Sequence, residues 1–163
     1  MKFVLIRHGE TYANTLFGTE DQILIGAMDC EITQLNVKGK EQAKLCSSSL
    51  NDSNILIDDI YVSDLGRTKE TASIIFGDRT VVYTPLIRER SLGWLEGKRL
   101  IDVDYDAETN PNLDGLSEFE VRMYSKSSDG ESYIDVLKRL KLFLSRRKPI
   151  EHYSQFWEEH PVN

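Results

Sequence analysis

Short apolar runs of strand length alternate along the chain with longer segments whose apolar residues recur at helical spacing. The runs that predict strands are residues 2–6, 57–62 and 80–84. The segments that predict helices are residues 35–50, 66–76 and 131–147. A strand–helix–strand–helix–strand order is typical of a parallel sheet covered on both faces. The pattern therefore predicts an α/β fold with three layers, α/β/α, in which helices cover both faces of a mostly parallel sheet.

The polar segments between and after these elements define the expected boundaries of the domain. Thr33 is the expected N-cap of the first helix. Residues 102–114 carry Asn-Pro and Asp-Gly pairs, which predict a loop or a small lid. We expect a single domain over residues 1–163, with a lid or insert at about 98–129 and an atypical tail at 149–163.

The net charge disfavours some classes of binding partner, and the cysteine content indicates the cellular compartment. With 27 acidic and 20 basic residues, the formal net charge is −7, which argues against a general nucleic-acid or membrane-surface binder. The apolar run before Arg7 is too short for a signal peptide, and no other stretch is long and apolar enough to span a bilayer. Cys30 and Cys46 are far apart and have no CxxC spacing, so we expect a reducing cytoplasm.

An arginine, a histidine and a glycine follow the first predicted strand directly. Arg7, His8 and Gly9 then lie beyond the carboxyl end of a strand, where open α/β sheets bind their ligands. A histidine can act as a nucleophile toward phosphorus, and an arginine can hold a phosphate through forked hydrogen bonds. The alternative is an ordinary strand that ends in a polar turn. The glycine beside the histidine favours a ligand site, because it allows close approach of the backbone.

The other two predicted strands end in residues of related chemistry. Arg67 lies at a strand-to-helix junction, where free backbone N–H groups also favour an anion. The third strand is followed by Arg88, Glu89 and Arg90, which place a carboxylate between two guanidinium groups. Each residue alone is compatible with a surface charge or a surface ion pair. Because the strands are expected to end at one sheet edge, their joint occurrence predicts a phosphate site there.

These residues, in this order, resemble the motifs of the histidine phosphatase superfamily, which has a phosphoglycerate mutase-like fold. The resemblance extends over about residues 1–135. A single Arg-His-Gly is not specific, whereas the ordered set is. The matching residues are Arg7-His8-Gly9-Glu10-Thr11, Asn14, Gly26, Asp29, Ile32-Thr33, Gly39, Gln42-Ala43, Ser63-Asp64, Arg67-Thr68, Thr71-Ala72, Arg88-Glu89, Leu92-Gly93, Glu96-Gly97 and Gly130-Glu131-Ser132.

The resemblance implies a phosphatase that works through a covalent phosphohistidine. His8 would attack the phosphoryl group, and Glu89 would protonate the leaving oxygen and later take a proton from the attacking water. Arg7 and Arg67 would also stabilise the charge of the transition state. No metal or other cofactor is implied, and the sequence holds no His/Asp/Cys cluster with ligand spacing. The residues implied in binding a small phosphorylated substrate are Arg7, Asn14, Gly26, Arg67 and Arg88.

The C-terminal segment departs from the pattern of the family. A complete member carries a second histidine, usually followed by glycine, at the end of an apolar strand after the last helix. Residues 149–163 hold His152 and His160, but neither has that setting, and the apolar spacing is closer to that of a short amphipathic helix. We therefore expect a C-terminally incomplete domain, whose catalysis is impaired or relies on a partner subunit. An exposed sheet edge there would favour a homo-oligomer.

Two other functions are compatible with the same motifs. Phosphoglycerate mutases carry a long insertion rich in arginine and proline after the motif around Glu89, and the connection from Gly97 to Glu131 has no such stretch. A non-catalytic protein could keep the two arginines and His8 only to bind phosphate. We expect the phosphatase, acting on a small phosphomonoester that the sequence does not specify.

Overall fold

The computed structural model describes residues 3–109 and 114–146. Among these residues, no helix has both the length and the apolar character that crossing a membrane requires. The helices and strands, in chain order, are α1 (Val37–Asp52), β1 (Tyr61–Ser63), α2 (Gly66–Phe76), β2 (Val82–Thr84), α3 (Tyr105–Thr109), α4 (Glu118–Tyr124) and α5 (Tyr133–Ser145). Short 3-10 turns lie at Ala13–Leu16, Glu31–Thr33, Pro85–Ile87, Gly93–Leu95 and Leu100–Asp102.

The strands β1 and β2 run parallel and are connected through α2. Ile60 and Val62 are buried against Ala72 of α2, which places apolar side chains between the strands and the helix. The α/β class with parallel strands is therefore confirmed. Both strands are shorter than the sequence predicts, because pairing is limited to three residues of each. The paired residues are Tyr61 with Val82, Val62 with Tyr83, and Ser63 with Thr84.

The first apolar run does not form the buried strand that the sequence predicts over residues 2–6. Residues 3–6 have no regular secondary structure and no strand pairing within the described part of the chain. Their side chains are exposed, and Leu5 is 92% accessible. The physical reason is that an apolar run becomes a buried strand only where a neighbouring strand satisfies its backbone groups. The described residues supply no such neighbour to this run.

The residues just after this run nevertheless contact two helices, α1 and α2. Gly9 donates its N–H to the Thr71 hydroxyl of α2, at 3.3 Å. On the other side the first turn of α1 approaches so closely that a Cβ on Gly39 would lie 2.0 Å from the carbonyl oxygen of Glu10. Asn36 donates its N–H to that same carbonyl, at 3.0 Å. The backbone around residue 9 is therefore positioned by α1 and α2 rather than by a sheet.

The N-cap of α1 lies three residues later than the sequence predicts. Asn36 is the N-cap, and its side-chain oxygen accepts a hydrogen bond from the N–H of Gly39 at 2.8 Å. The prediction that Thr33 caps this helix is wrong. The Thr33 hydroxyl instead bonds both backbone groups of Cys30, at 2.8 and 2.9 Å, within the preceding 3-10 turn. Because Gln34 is extended, the helix cannot begin before Asn36.

The segment expected to be a lid contains two short helices, α3 and α4, beside the N-terminal end of α5. Both α4 and α5 begin with a serine cap whose partner acid lies three residues later, Ser117 with Glu120 and Ser132 with Asp135. The helix predicted over residues 131–147 is observed as α5. Arg147, together with the tail over 149–163 and residues 110–113, lies outside the described residues.

Candidate active site

One cleft of about 230 Å³ opens where the chain passes from the first apolar run toward α1, at the N-terminal ends of α2 and α5. It gathers residues from five separate parts of the sequence. Six of the seven residues singled out from the sequence line it, and Arg88 does not. The lining residues are Arg7, His8, Thr11, Asn14, Ile25, Gly26, Arg67, Glu89, Arg90, Leu92 and Tyr133.

The imidazole of His8 is oriented by its own backbone neighbour. Its Nδ1 lies 2.7 Å from the carbonyl oxygen of Gly9. A carbonyl only accepts hydrogen bonds, so Nδ1 carries the proton and the neutral ring leaves Nε2 with a free lone pair. Burial lowers the pKa of His8 below its ordinary value, and the charges of Arg67 and Arg7 act in the same direction. The Gly9 bond and the charge of Glu89 oppose this shift. The environment therefore favours the neutral, nucleophilic form.

The lowered pKa gives a direct test by proton NMR. The ring resonances of His8, assigned by their loss in a His8→Asn variant, should titrate with a midpoint below 6.5, the ordinary value of an unperturbed histidine. Because the shift is downward, the neutral form should persist to more acidic pH than in a free imidazole. A midpoint at or above that ordinary value would contradict the environment described here.

Arg67 combines a structural and an electrostatic role at the first turn of α2. It is buried, with 3% of its surface accessible, and it donates from Nη1 to the carbonyl of Met28 at 2.9 Å and from Nη2 to that of Gly26 at 3.0 Å. Burial lowers the pKa of Arg67, but from so high a value that the guanidinium stays charged near neutral pH. The residue thus fixes the Gly26 turn and brings a desolvated positive charge to the cleft.

Asn14 is held by a reciprocal pair of bonds with Thr11. Its side-chain oxygen accepts from the N–H of Thr11 at 3.0 Å, and the Thr11 hydroxyl accepts from the N–H of Asn14 at 3.2 Å. The first of these bonds uses the side-chain carbonyl of Asn14, and the second uses its backbone N–H. In the part of the chain that the structure describes, the Nδ2 group has no protein acceptor, so it is a donor available to a ligand in the cleft.

The turn at Gly26 is tied to the opposite wall of the cleft by one carboxylate. Glu96 accepts through Oε1 from the N–H of Ala27 at 2.9 Å, from the N–H of Leu92 at 2.9 Å and from the Ser91 hydroxyl at 3.2 Å. Gly26 itself has φ of +49°, a conformation that favours glycine. Sequence reasoning included Glu96 in the motif but gave it no role, because its partners are backbone groups that the sequence does not reveal.

Arg88 and Glu89 are adjacent in sequence but have different partners. The Arg88 guanidinium forms a forked pair of bonds with the carboxylate of Asp64, at 2.5 and 2.6 Å, and so contributes to the surface beside the cleft. Glu89 lines the cleft, and its Oε1 accepts the N–H of Arg90 at 3.0 Å. We therefore leave Arg88 out of the site that we propose below.

The sequence analysis missed the wall made by Arg90 and Tyr133. The Arg90 guanidinium lies 4.7 Å from the centre of the Tyr133 ring and donates to the Tyr105 hydroxyl at 2.8 Å. The sequence feature that could have pointed to Tyr133 is its position directly after Ser132, the N-cap of the last helix. Within residues 3–109 and 114–146, no group of three His, Cys, Asp or Glu side chains is placed to hold a metal ion. The histidines considered as second catalytic residues, His152 and His160, lie outside the described residues.

Curated proteins resemble this chain over part of their own length. A protein named as a probable phosphatase from Schizosaccharomyces pombe is 39% identical over 105 residues, which are 63% of this chain and 46% of that protein. A protein named as a probable phosphoglycerate mutase, GpmB, from Erwinia tasmaniensis is 29% identical over 145 residues, which are 86% of this chain and 60% of that protein. This chain therefore spans about half of the length of these curated relatives.

Solved structures and a family model agree with the motifs. The α-ribazole phosphatase from Shigella flexneri has a TM-score of 0.66 and 26% identity, over 86% of this chain and 64% of that one. A phosphoglycerate mutase from Thermus thermophilus has a TM-score of 0.60 and 26% identity, over 88% and 70%. The phosphoglycerate mutase-like fold is thus confirmed. The model of the histidine phosphatase superfamily (branch 1) matches residues 3–152. The chain belongs to the histidine phosphatase superfamily.

Proposed function

We propose that this protein is a phosphatase that hydrolyses a small phosphomonoester through a phosphohistidine at His8. The observation that carries the proposal is the 2.7 Å contact between Nδ1 of His8 and the carbonyl oxygen of Gly9, from which we assign the free lone pair to Nε2. His8 lines a cleft together with the guanidinium groups of Arg7, Arg67 and Arg90 and the carboxylate of Glu89. A nucleophile, a positive phosphate-binding environment and a proton donor are the parts that phosphoryl transfer requires.

The first step transfers the phosphoryl group to the protein. Nε2 of His8 attacks phosphorus, and the bond between phosphorus and the ester oxygen breaks. Arg7, Arg67 and the Asn14 amide hold the non-bridging oxygens, whose charge needs fixed donors throughout the transition state. Glu89, in its protonated form, gives its proton to the departing oxygen, so the alcohol leaves neutral.

The second step regenerates the free histidine. The Glu89 carboxylate takes a proton from a water molecule, and the resulting hydroxide attacks the phosphorus of phosphohistidine. The bond from phosphorus to Nε2 breaks, and inorganic phosphate leaves with His8 again neutral. The lowered pKa of His8 assists this step as well as the first, because the ring departs without needing a proton.

Turnover and trapping test this proposal together. The full chain should hydrolyse para-nitrophenyl phosphate, and brief incubation with a labelled phosphomonoester should leave an acid-labile, base-stable phosphoryl group on His8. Phosphate that protects the chain against heat, without turnover and without a trapped label, would instead establish a non-catalytic phosphate-binding protein. A turnover like that of an ordinary phosphomonoesterase would refute the hypothesis that this chain is impaired or needs a partner subunit.

The name of the Erwinia tasmaniensis relative favours mutase-type phosphoryl transfer as the second candidate. A mutase would deliver the phosphoryl group of His8 to another hydroxyl of the substrate instead of to water. Conversion of 3-phosphoglycerate to 2-phosphoglycerate without release of inorganic phosphate would support it over the phosphatase. The wall made by Arg90 and Tyr133 argues against this substrate, because Arg90 is already engaged and does not act as a receptor for the carboxylate.

We also propose a cytoplasmic location, with a small phosphorylated substrate and no nucleic-acid or membrane partner. Cys30 and Cys46 are free thiols, which suits a reducing compartment, and the acidic net charge disfavours anionic polymers and surfaces. A homo-oligomer is a further part of the proposal, because Phe3, Val4 and Leu5 expose apolar surface on a segment that pairs with no strand among the described residues. Light scattering of the full chain measures this directly.

A further inference from the structure

We propose that the alcohol portion of the substrate is aromatic or otherwise apolar, and that Tyr133 is a specificity-determining residue for it. The inference rests on the proposed function, because it concerns the group that would leave from the phosphate held at His8. The chemical class of that group follows from the wall of the cleft that does not take part in phosphate binding.

Three residues bring carbon surface to the cleft beside the phosphate-binding groups. Ile25 and Leu92 are half-buried, which is the exposure of side chains that line an open cleft rather than a core. Tyr133 leaves 47% of its surface accessible although it belongs to the same wall. An aromatic side chain with that much free surface gains free energy when an apolar ligand covers it.

The cation of this wall, Arg90, is already engaged. It stacks on Tyr133 and donates from Nη2 to the Tyr105 hydroxyl, as described above. Its Nη1 donates longer bonds to the carbonyls of Ser125 and Glu131, at 3.5 and 3.4 Å. A substrate carboxylate could pair with Arg90 only by displacing these contacts, so the guanidinium acts as part of the wall rather than as an anion receptor.

The remaining polar side chains of the cleft are committed to the phosphoryl chemistry or to one another. Arg7, Arg67 and Asn14 face the phosphate in the proposed mechanism, Glu89 handles the proton, and Thr11 bonds Asn14. Apart from the single hydroxyl of Tyr133, no side chain among the described cleft residues is thus left to bind the several hydroxyls of a polyol or a second acid group. An apolar leaving group needs no such partner, whereas a polyol or a carboxylate would lose water without replacement.

Binding of non-hydrolysable phosphonates to the full chain tests this class. Phenylphosphonate, methylphosphonate and 3-phosphonopropionate share the phosphonate and differ only in what it carries, and calorimetry gives each dissociation constant. Phenylphosphonate should bind about tenfold more tightly than methylphosphonate, the effect of covering one ring of apolar surface. A ratio below about fivefold, or tighter binding of 3-phosphonopropionate than of phenylphosphonate, would overturn the proposal.

Two tyrosine variants test whether the preference for phenylphosphonate arises from the wall that contains Tyr133. Tyr133→Ala should reduce the phenyl-to-methyl ratio by at least about threefold, and the ratio cancels any effect of the substitution on the phosphonate group that both ligands share. Tyr124→Ala is the matched control, since Tyr124 is equally exposed, at 44%, but lies outside the cleft lining, and it should leave the ratio unchanged. An unchanged ratio in Tyr133→Ala would overturn the role of this residue, and the wild-type ratio still decides the class if that variant fails to fold.

These measurements separate the inference from the proposed function. The phosphonates bind without any bond to phosphorus being broken, so a chain that lacks turnover can still show the preference for the phenyl group. Conversely, a chain that hydrolyses para-nitrophenyl phosphate but binds the three phosphonates equally retains the proposed function and loses the inference.

Discussion

Replacing His8 with asparagine should lower the turnover of para-nitrophenyl phosphate by at least about a thousandfold, the usual scale for loss of a covalent nucleophile. Asparagine can keep a side-chain N–H near the position of Nδ1, which lies 2.7 Å from the Gly9 carbonyl. It has no basic nitrogen at the position of Nε2. The variant therefore removes the nucleophile while retaining the local hydrogen bond, and steady-state kinetics with a defined amount of enzyme measures the loss.

Phosphate binding provides the control for this variant. Because Arg7, Arg67 and Asn14 are untouched, phosphate should raise the thermal unfolding temperature of His8→Asn about as much as it raises that of the wild type. Loss of turnover with retained protection identifies His8 as the reacting group. Turnover within about tenfold of the wild type would show that another group attacks phosphorus.

Replacing Gly39 with alanine should destabilise the protein by at least about 2 kcal/mol, although glycine to alanine inside a helix ordinarily stabilises by about 1 kcal/mol. The added Cβ would lie 2.0 Å from the carbonyl oxygen of Glu10 and 2.7 Å from its nitrogen. Both are backbone atoms, so no side-chain rotation relieves the overlap. The segment that carries His8 or the start of α1 must move, and turnover should fall with stability. Urea unfolding measures the change in free energy.

The control for Gly39→Ala lies in the same helix. Glu41 is exposed on α1, and Glu41→Ala changes the helix propensity without a close backbone contact. It should alter stability by no more than about 0.5 kcal/mol. If Gly39→Ala were as stable as Glu41→Ala, the close contact between α1 and the His8 segment would not exist in solution.

The elements that the sequence predicts well are those whose residues carry their own local signals. The helix over residues 66–76 and its two flanking strands combine apolar runs with a clear turn at each end, and the structure forms them as β1, α2 and β2. The last helix is similar, since Ser132 and Asp135 mark its start through a cap visible in the sequence. These features depend on short-range interactions, so the chain itself specifies them.

The predictions that fail depend on long-range partners. The apolar run over residues 3–6 has the composition of a buried strand, but burial requires a neighbour that no local pattern can guarantee. Thr33 is a good cap by residue type, yet its hydroxyl is taken by Cys30 in the preceding turn. Arg88 and Arg90 flank Glu89 symmetrically in sequence, and only the folded arrangement shows that the first pairs with Asp64 while the second joins the cleft.

The candidate site is more predictable than the walls around it. Arg67 and Glu89 come after β1 and β2, whose carboxyl ends lie at one edge of the parallel pair, and α1 and α2 hold the segment of His8 at the same cleft. Tyr133 reaches the cleft because α5 begins beside it, which depends on how the lid packs. Specificity residues therefore require the structure, whereas the chemical groups can be located from motif order.

The three hydrogen bonds that Glu96 accepts bear on how the substrate specificity of this fold can change. One carboxylate oxygen joins the loop at Ala27 to the loop at Ser91 and Leu92, and it does so through main-chain N–H groups and a hydroxyl rather than through the variable surfaces of those loops. Exchanges at Ile25, Leu92 or Tyr133 would leave this brace intact. New substrates could thus be accommodated by changing three side chains, while the spacing between the loops at Ala27 and at Ser91 is inherited unchanged.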